Sequence, residues 1–406
     1  LVFEETNIDL GLRFSYTWAT SDRYGFVKQS SLENIGDHDR HVELLDGIEN
    51  LLPYGVLAGT QNELSCLVDA YKKNERVADS VLAIYCMSSI LSDRAEPSEA
   101  LSATTVWSYG ATHPQVLLSS LQLDNFRRGE SISAESEILG RRGAYFIHQN
   151  LALAVGEVAD WGIVADVNQG PAAVSNSLNN LQTNSNLAAE VRADIERGSE
   201  NLRRLIGTSD GLQVTGDTLT ANHHAANVLF NIMRGGLFED NYAIDKHDLK
   251  AFCQDWNAPV TAASAAFFET LPDALTYHTL NDALEQAHNP QLERLCREYL
   301  PLSFSRRHGD PSRPWNRFAI KVKDDKGARI LNYEGNWRDI FQNWEALGTS
   351  IPCFSANMIT KFVNAVQPMV TTPIALHVKG LTGNVPNPRT PGPILATGAT
   401  INLFIY

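Results

Sequence analysis

The stretch LGLRFSYTW, residues 10–18, decides how the first part of the chain is read. Leu10, Leu12, Phe14, Tyr16 and Trp18 are apolar, while Gly11, Arg13, Ser15 and Thr17 between them are small or polar. Such period-two alternation sends alternate side chains to opposite faces and predicts a half-buried strand. Outward from it the pattern recurs in GFVKQSSLENIG (25–36), HVELLDGIENLLPYG (41–55), SVLAIYCMSSIL (80–91), ALSATTVWSYG (100–110), GAYFIHQNLALAVG (143–156) and ADWGIVADV (159–167). Gly, Asn, Asp and Pro punctuate these runs, as turns require. Residues 1–170 therefore read as the later part of an antiparallel β-sandwich whose sheets are covered on one side. Asp46, Asp160 and Asp166 lie in or beside these strands and are expected to terminate them rather than to catalyse anything.

The period changes near residue 171. Leu187, Val191 and Ile195 recur every fourth residue, and Leu202, Leu205 and Ile206 continue the stripe. Glu190, Arg192, Asp194, Glu196 and Arg197 supply a solvated face. That spacing predicts one long linker helix within 171–207. Further helical patterns cover 221–234, 246–256, 259–287, 290–299, 336–347 and 355–365, with a loop rich in Arg, Pro and Asp at 305–335. The succession suits the first part of an α/α toroid over 208–365. The fold class is thus multidomain β plus α.

Composition excludes several classes. The 406 residues carry 33 Lys+Arg against 47 Asp+Glu, a formal net charge of −14, and are 43% hydrophobic. An acidic chain without a basic stripe is no phosphate-tracking nucleic-acid binder. No apolar run reaches membrane-spanning length. Five cysteines, Cys66, Cys86, Cys253, Cys296 and Cys353, show no CxxC spacing, which argues against a disulfide framework or a zinc site and fits a reduced, cytoplasmic compartment. No metal site or cofactor is expected. The chain starts at Leu1, close to a strand-like pattern, and is read as a fragment.

The densest polar-aromatic cluster is NYEGNWRDIFQNWEAL, residues 332–347. Trp337, Ile340, Phe341, Trp344 and Leu347 share a helical face, while Glu334, Asn336, Arg338, Asp339 and Gln342 crowd its start. Aromatic planes beside carboxylate, amide and guanidinium groups suit a sugar. The same residues also read as an amphipathic core helix with acids at its N-terminus. RRHGDPSRPWNRF (306–318) places Trp315 and Arg317 in a second cluster, fit for an anion or a sugar or for a solvated turn. Adjacent His223 and His224 point to different sides of a helix and are expected to be structural. No GxSxG, GxxxxGK[ST] or GxGxxG follows a strand.

These segments resemble the cellobiose phosphorylase-like proteins, to which the phosphorylase region of cyclic β-1,2-glucan synthase is related. Large bacterial proteins of that group share LLDGIENLLPYGV (44–56), SDRAEPSEAL (92–101), NVLFNIMRGG (227–236), HGDPSRPWNRF (308–318) and YEGNWRDIFQNWEAL (333–347). The resemblance covers about residues 1–365 and implies a galactose-mutarotase-like super-sandwich, a linker helix and a partial toroid. It implies action on β-linked oligosaccharides by an inverting mechanism, with inorganic phosphate, or water, attacking opposite a protonating Asp. Arg338, Asp339 and Gln342 match the family's RDxxQ run, and the first two would then bind the sugar next to the scissile bond. Asn343 departs from that run, and the catalytic acid would lie beyond the matching part of this chain. The other readings are a glycan-binding protein without turnover and a truncated product without function.

Residues 366–406 are a different text. They hold Pro368, Pro373, Pro386, Pro388, Pro391 and Pro393, no Asp or Glu, and only Lys379 and Arg389 as fixed charges. A Pro-rich tail without regular structure is one reading. A frameshift near Ala365 is the other. Taking the last base of each codon with the first two of the next, Val366–Gly383 can spell STDGYNPYRITREGIDWE. The same frame over Ile394–Ile401 allows GYWGDHQ. Both strings resemble the relatives' own sequence beyond this point, so the tail is expected to be out-of-frame peptide carrying no site.

Overall fold

A computed structural model describes residues 2–91, 100–233, 243–304, 324, 334–336, 340–365, 375–377 and 380–382. The chain divides into two units, Leu1–Asn201 and Leu202–Tyr406. Among the described residues no helix is long and apolar enough to cross a membrane.

The alternating segments become strands β1 (Val2–Asn7), β2 (Leu12–Ser21), β3 (Gly25–Asn34) and β4 (Arg40–Leu51). Two short helices follow, α1 (Ala58–Glu63) and α2 (Ser65–Ala70), and then β5 (Lys72–Arg76), β6 (Ala83–Met87), β7 (Ala103–Tyr109) and β8 (Gln115–Leu117). Helix α3 (Leu123–Arg127) precedes β9 (Glu137–Leu139), β10 (Gly143–Leu153) and β11 (Val158–Gln169). An eight-stranded sheet runs β1-β2-β3-β11-β7-β6-β5-β9, and a second sheet runs β4-β10-β8. Pairing is antiparallel throughout, with Val164 opposite Val27 on one side and Trp107 on the other.

Alternation explains the layers. Leu32, Val106, Trp161, Ile163 and Ala165 of the large sheet share one core with Leu51, Val116, Tyr145 and Ile147 of the small sheet. Their strand neighbours Val27, Trp107, Tyr109 and Val164 turn to the opposite face. There they meet α4 (Pro171–Thr183) and the start of α5 (Leu187–Thr208), through Val174, Leu178, Leu181, Leu187 and Val191. The middle of the large sheet is therefore covered on both faces, and every residue of β7 is buried. The expected one-sided sheet is corrected here, because the helices after β11 fold back onto the outer face.

The linker is likewise two helices rather than one. Asn184 ends α4, its side chain donates to Glu190 at 3.0 Å, and its side-chain oxygen accepts from Asn186 N at 2.9 Å, so asparagine turn chemistry outcompetes helix propagation. Asp194, buried in α5, accepts hydrogen bonds from Ser21 Oγ, from Arg23 N at 3.1 Å and from the Arg197 guanidinium. That carboxylate fastens α5 to the β2–β3 turn. Asp46 also departs from its expected strand-ending role. It is mid-strand in β4 and 8% exposed, taking Lys28 Nζ, Ser30 Oγ at 3.0 Å and Trp161 Nε1 at 2.8 Å.

The second unit is helical. It comprises α6 (Thr218–Met233), β12 (Ile244–Asp245), α7 (Lys246–Trp256), α8 (Ala258–Ala263), α9 (Ala265–Thr270), β13 (Ala274–Leu275), α10 (Tyr277–Ala287) and α11 (Pro290–Phe304). After these come β14 (Glu334–Asn336), α12 (Ile340–Ser350), a 3-10 turn at Pro352–Phe354 and α13 (Ser355–Ala365). The expected helix over 259–287 is broken by caps: Asn257 Oδ1 accepts from Val260 N and Thr276 Oγ1 from Thr279 N, both at 3.2 Å. Leu249, Phe252 and Cys253 of α7 and Leu292, Leu295, Cys296 and Tyr299 of α11 present helical stripes to one core. Phe268, Leu280 and Leu284 join them, with Trp344, Leu347 and Met358 from α12 and α13. Within 366–406, β15 (Ala375–His377) and β16 (Gly380–Thr382) form a hairpin in which β15 pairs with β14.

Candidate functional site

The sequence-derived sugar residues Trp315, Arg317, Trp337, Arg338 and Asp339 lie outside the described residues. Glu334 falls in β14 and Gln342 in α12, with their side chains also outside that set. Their apolar neighbours Trp344 and Leu347 are described and belong to the helical core. On that face, then, α12 is an amphipathic core helix.

His223 and His224 take the structural place expected of them. His224 is buried, with Nε2 2.8 Å from the Asp210 carbonyl and 3.4 Å from Ser350 Oγ. His223 Nε2 lies 3.4 Å from Glu345. Both therefore tie α6 or its approach to α12. Among the described residues no group of His, Cys, Asp and Glu is arranged to hold a metal ion.

A polar cleft does form in this unit. Trp256 ends α7, Asn257 stands between α7 and α8, and α11 contributes Gln291, Arg294, Leu295 and Glu298, one helical face at spacings of three, four and seven. Lys361 reaches in from α13, closing a cavity of about 390 Å3. Its Nζ lies 2.7 Å from Glu298 Oε2, and Arg294 Nε lies 3.2 Å from Glu298 Oε1. Burial pushes the Lys361 ammonium below the usual lysine range, with Glu298 opposing the shift. A neighbouring hollow of about 210 Å3 shares Arg294, Glu298 and Lys361 and adds Arg297 and Glu293.

Trp256 looks like a sugar platform, yet its indole ring already has two partners. Phe252 stacks on it at 5.7 Å and 29°, and Lys361 Nζ lies 4.2 Å from the ring centroid. What it retains is a donor: Nε1 is buried and has no hydrogen-bond partner among the described residues. Three cations and two carboxylates border the joined hollows, so they suit hydroxyl or anionic oxygens better than a cation. Sequence reasoning missed this cleft. The Arg294/Glu298 spacing was visible, but no periodicity connects Lys361 to a partner 63 residues away.

The cleft draws most of its wall from a segment with a recognisable relative. Residues 238–301 match the family model described as glycoside hydrolase family 149 insertion domain 1. The match covers 64 of the 406 residues. No curated protein matches the chain.

Proposed function

We propose that this chain is part of a protein acting on β-linked oligosaccharides by inverting phosphorolysis or hydrolysis, and that the chain as given is inactive. The observation that carries the reading is the likeness of residues 238–301 to an insertion domain of a glycoside hydrolase family. That segment has physical coherence of its own: Ile244, Leu249, Phe252, Phe268, Leu280, Leu284, Leu292 and Leu295 pack into one core. Within 208–365 it is a piece inserted among toroid helices, and 1–170 is the super-sandwich portion. Trp337, Arg338, Asp339, Gln342, Glu334, Trp315 and Arg317 remain the proposed sugar contacts, with inorganic phosphate as co-substrate.

Inactivity follows from the acid. In the charged cleft both oxygens of Glu298 face cations, which suits a fixed structural carboxylate rather than a proton donor. The proposed acid belongs to the region replaced by the tail beyond Ala365.

The test measures phosphate uptake or release with β-glucosyl disaccharides on an intact homologue that continues past Ala365, and on this chain. The homologue is expected to turn over and this chain is not. Replacing the homologue's counterpart of Arg338 with Ala should lower kcat/KM roughly 100-fold without loss of fold. Binding of glycan without cleavage by phosphate or water would instead establish a binding protein. Sequencing the encoding DNA tests the frameshift: a frame lacking GYWGDHQ after residue 393 removes it.

A further inference from the structure

A second cleft lies in the sheet unit, where no assignment points. It has a volume of about 380 Å3 and opens between α4 and the helix-covered face of the large sheet. One wall is strand: Thr105 and Trp107 from β7, and Asp166 and Gln169 from the end of β11. The other is α4, which sends Val174, Leu178 and Leu181 to the core. Beside that stripe it presents Asn176, Ser177 and Asn180 to the cleft, at helical spacings of one, three and four. Asn179 is on the same wall, and Arg23 and Tyr24 close one end.

Two features distinguish this space from a gap of poor packing. First, the polar groups of α4 are uncommitted: the side chains of Asn176, Ser177, Asn179 and Asn180 make no hydrogen bond to the described residues. Second, Thr105 is only 2% exposed as a residue, yet its hydroxyl makes no hydrogen bond to the described residues and is not among the side-chain atoms sealed from solvent, so it opens onto the cleft that Thr105 lines. A hydroxyl held in place by a buried strand and open to a cleft is ready to bond a ligand without reorganising.

The chemistry names the ligand class. The lining holds four side-chain amides and the aliphatic hydroxyls of Thr105 and Ser177, groups that both donate and accept, besides the Tyr24 hydroxyl that donates to Glu190. The lining's charges are largely spent: Arg23 Nη1 is 3.3 Å from Glu190, and Asp166 accepts from Val167 N and Gln169 Nε2, each at 2.8 Å. Burial also raises the Asp166 carboxyl above the usual range, and with Arg23 paired to Glu190 the lining holds no unpaired cation for an anion. Vicinal hydroxyls match amides and a carboxyl, while the buried Trp107 and Tyr24 give an apolar floor.

We propose that this cleft binds an uncharged, hydroxyl-rich ligand, a short saccharide, in the sheet unit. The choice of a saccharide among polyols rests on the proposed function. The test is calorimetric titration of the full chain with cellotetraose, and with maltotetraose to read linkage preference. Asn176→Ala with Asn180→Ala should weaken cellotetraose binding about tenfold, as expected for two lost hydrogen bonds. Alanine is the better helix former, so α4 should persist. Thr105→Val should weaken binding several-fold while leaving the melting temperature unchanged or higher, an outcome that a purely structural threonine would not produce. Glu63→Ala, at an exposed position of α1 that lines neither cleft, should leave the affinity unchanged. Binding indifferent to the α4 and Thr105 changes, or absent altogether, overturns the proposal. Either result leaves the phosphate assay on the homologue to judge the catalytic reading independently.

Discussion

Lys28 and Asp46 in the sheet unit, and Lys361 and Glu298 in the helical unit, form ion pairs of nearly equal burial. Side-chain exposures are 8% and 9% in the first pair and 8% and 10% in the second. Each lysine also lies over an aromatic ring, Tyr16 at 5.1 Å and Trp256 at 4.2 Å. The nearby tryptophans differ. Trp161 Nε1 donates to Asp46 at 2.8 Å, whereas Trp256 Nε1 has no partner among the described residues and its residue lines a cavity of about 390 Å3. The first network is closed by its own side chains and joins the two sheets. The second leaves the buried Trp256 Nε1 unpaired among the described residues, in a residue that also lines a cavity. Burial of charge alone therefore does not distinguish the two networks; the completeness of hydrogen bonding does.

The comparison can be broken most sharply at Asp46. Asp46→Ala leaves Lys28 as an unpaired buried cation and orphans Trp161 Nε1, so a loss of about 3–5 kcal/mol is expected in chemical denaturation. A loss under about 1 kcal/mol would mean that water reaches the network and that it is not closed.

Lys361→Met should cost less, about 1–3 kcal/mol, because Arg294 still faces Glu298 and the cavity admits solvent. Equal losses at the two sites would remove the distinction between them. The same variant sharpens it through pH. Burial depresses the folded-state pKa of Lys361, so the unfolded chain binds this proton more tightly than the folded one. The penalty is fully present below the folded-state pKa and fades as pH rises through that value toward the ordinary ammonium value of about 10.4. Lys361→Met should abolish this alkaline gain relative to the wild type in thermal melts taken across that range.

The smallest effect belongs to Asn257→Ala. It removes the α8 cap accepting from Val260 N and should cost about 1 kcal/mol in denaturant titration. A much larger loss would mean that Asn257 supports the cleft as well as the cap.

Much of the scaffold was legible from local pattern. The alternation at 10–18 appears as β2, and the helical readings at 246–256 and 355–365 coincide with α7 and α13. Where local chemistry competed with periodicity, periodicity lost. Asn184 split the linker, and the caps at Asn257 and Thr276 split 259–287. The helices α1 and α2, inside a region read as strand, carried too little pattern to show. Of the seven sugar-site residues chosen from sequence, Arg338, Asp339 and Gln342 match the run of the resembling family, and Glu334, Trp337, Trp315 and Arg317 come from polar-aromatic clusters. The side chains of all seven lie outside the described residues. The two clefts were illegible for a different reason, since each joins residues from separate elements.

What the sequence determined by itself was therefore periodic: which residues can share a strand or helix face, and where turns and caps end each element. Neighbouring residues alone decide those properties. Only the tertiary structure decided that β7 is covered on both faces and that Asp46 meets Lys28 and Trp161. It also decided that Lys361 meets Glu298, and that Thr105 ends beneath α4 without a partner among the described residues. Each of these depends on which distant backbone fills the space beside a side chain, and no spacing along the chain encodes that.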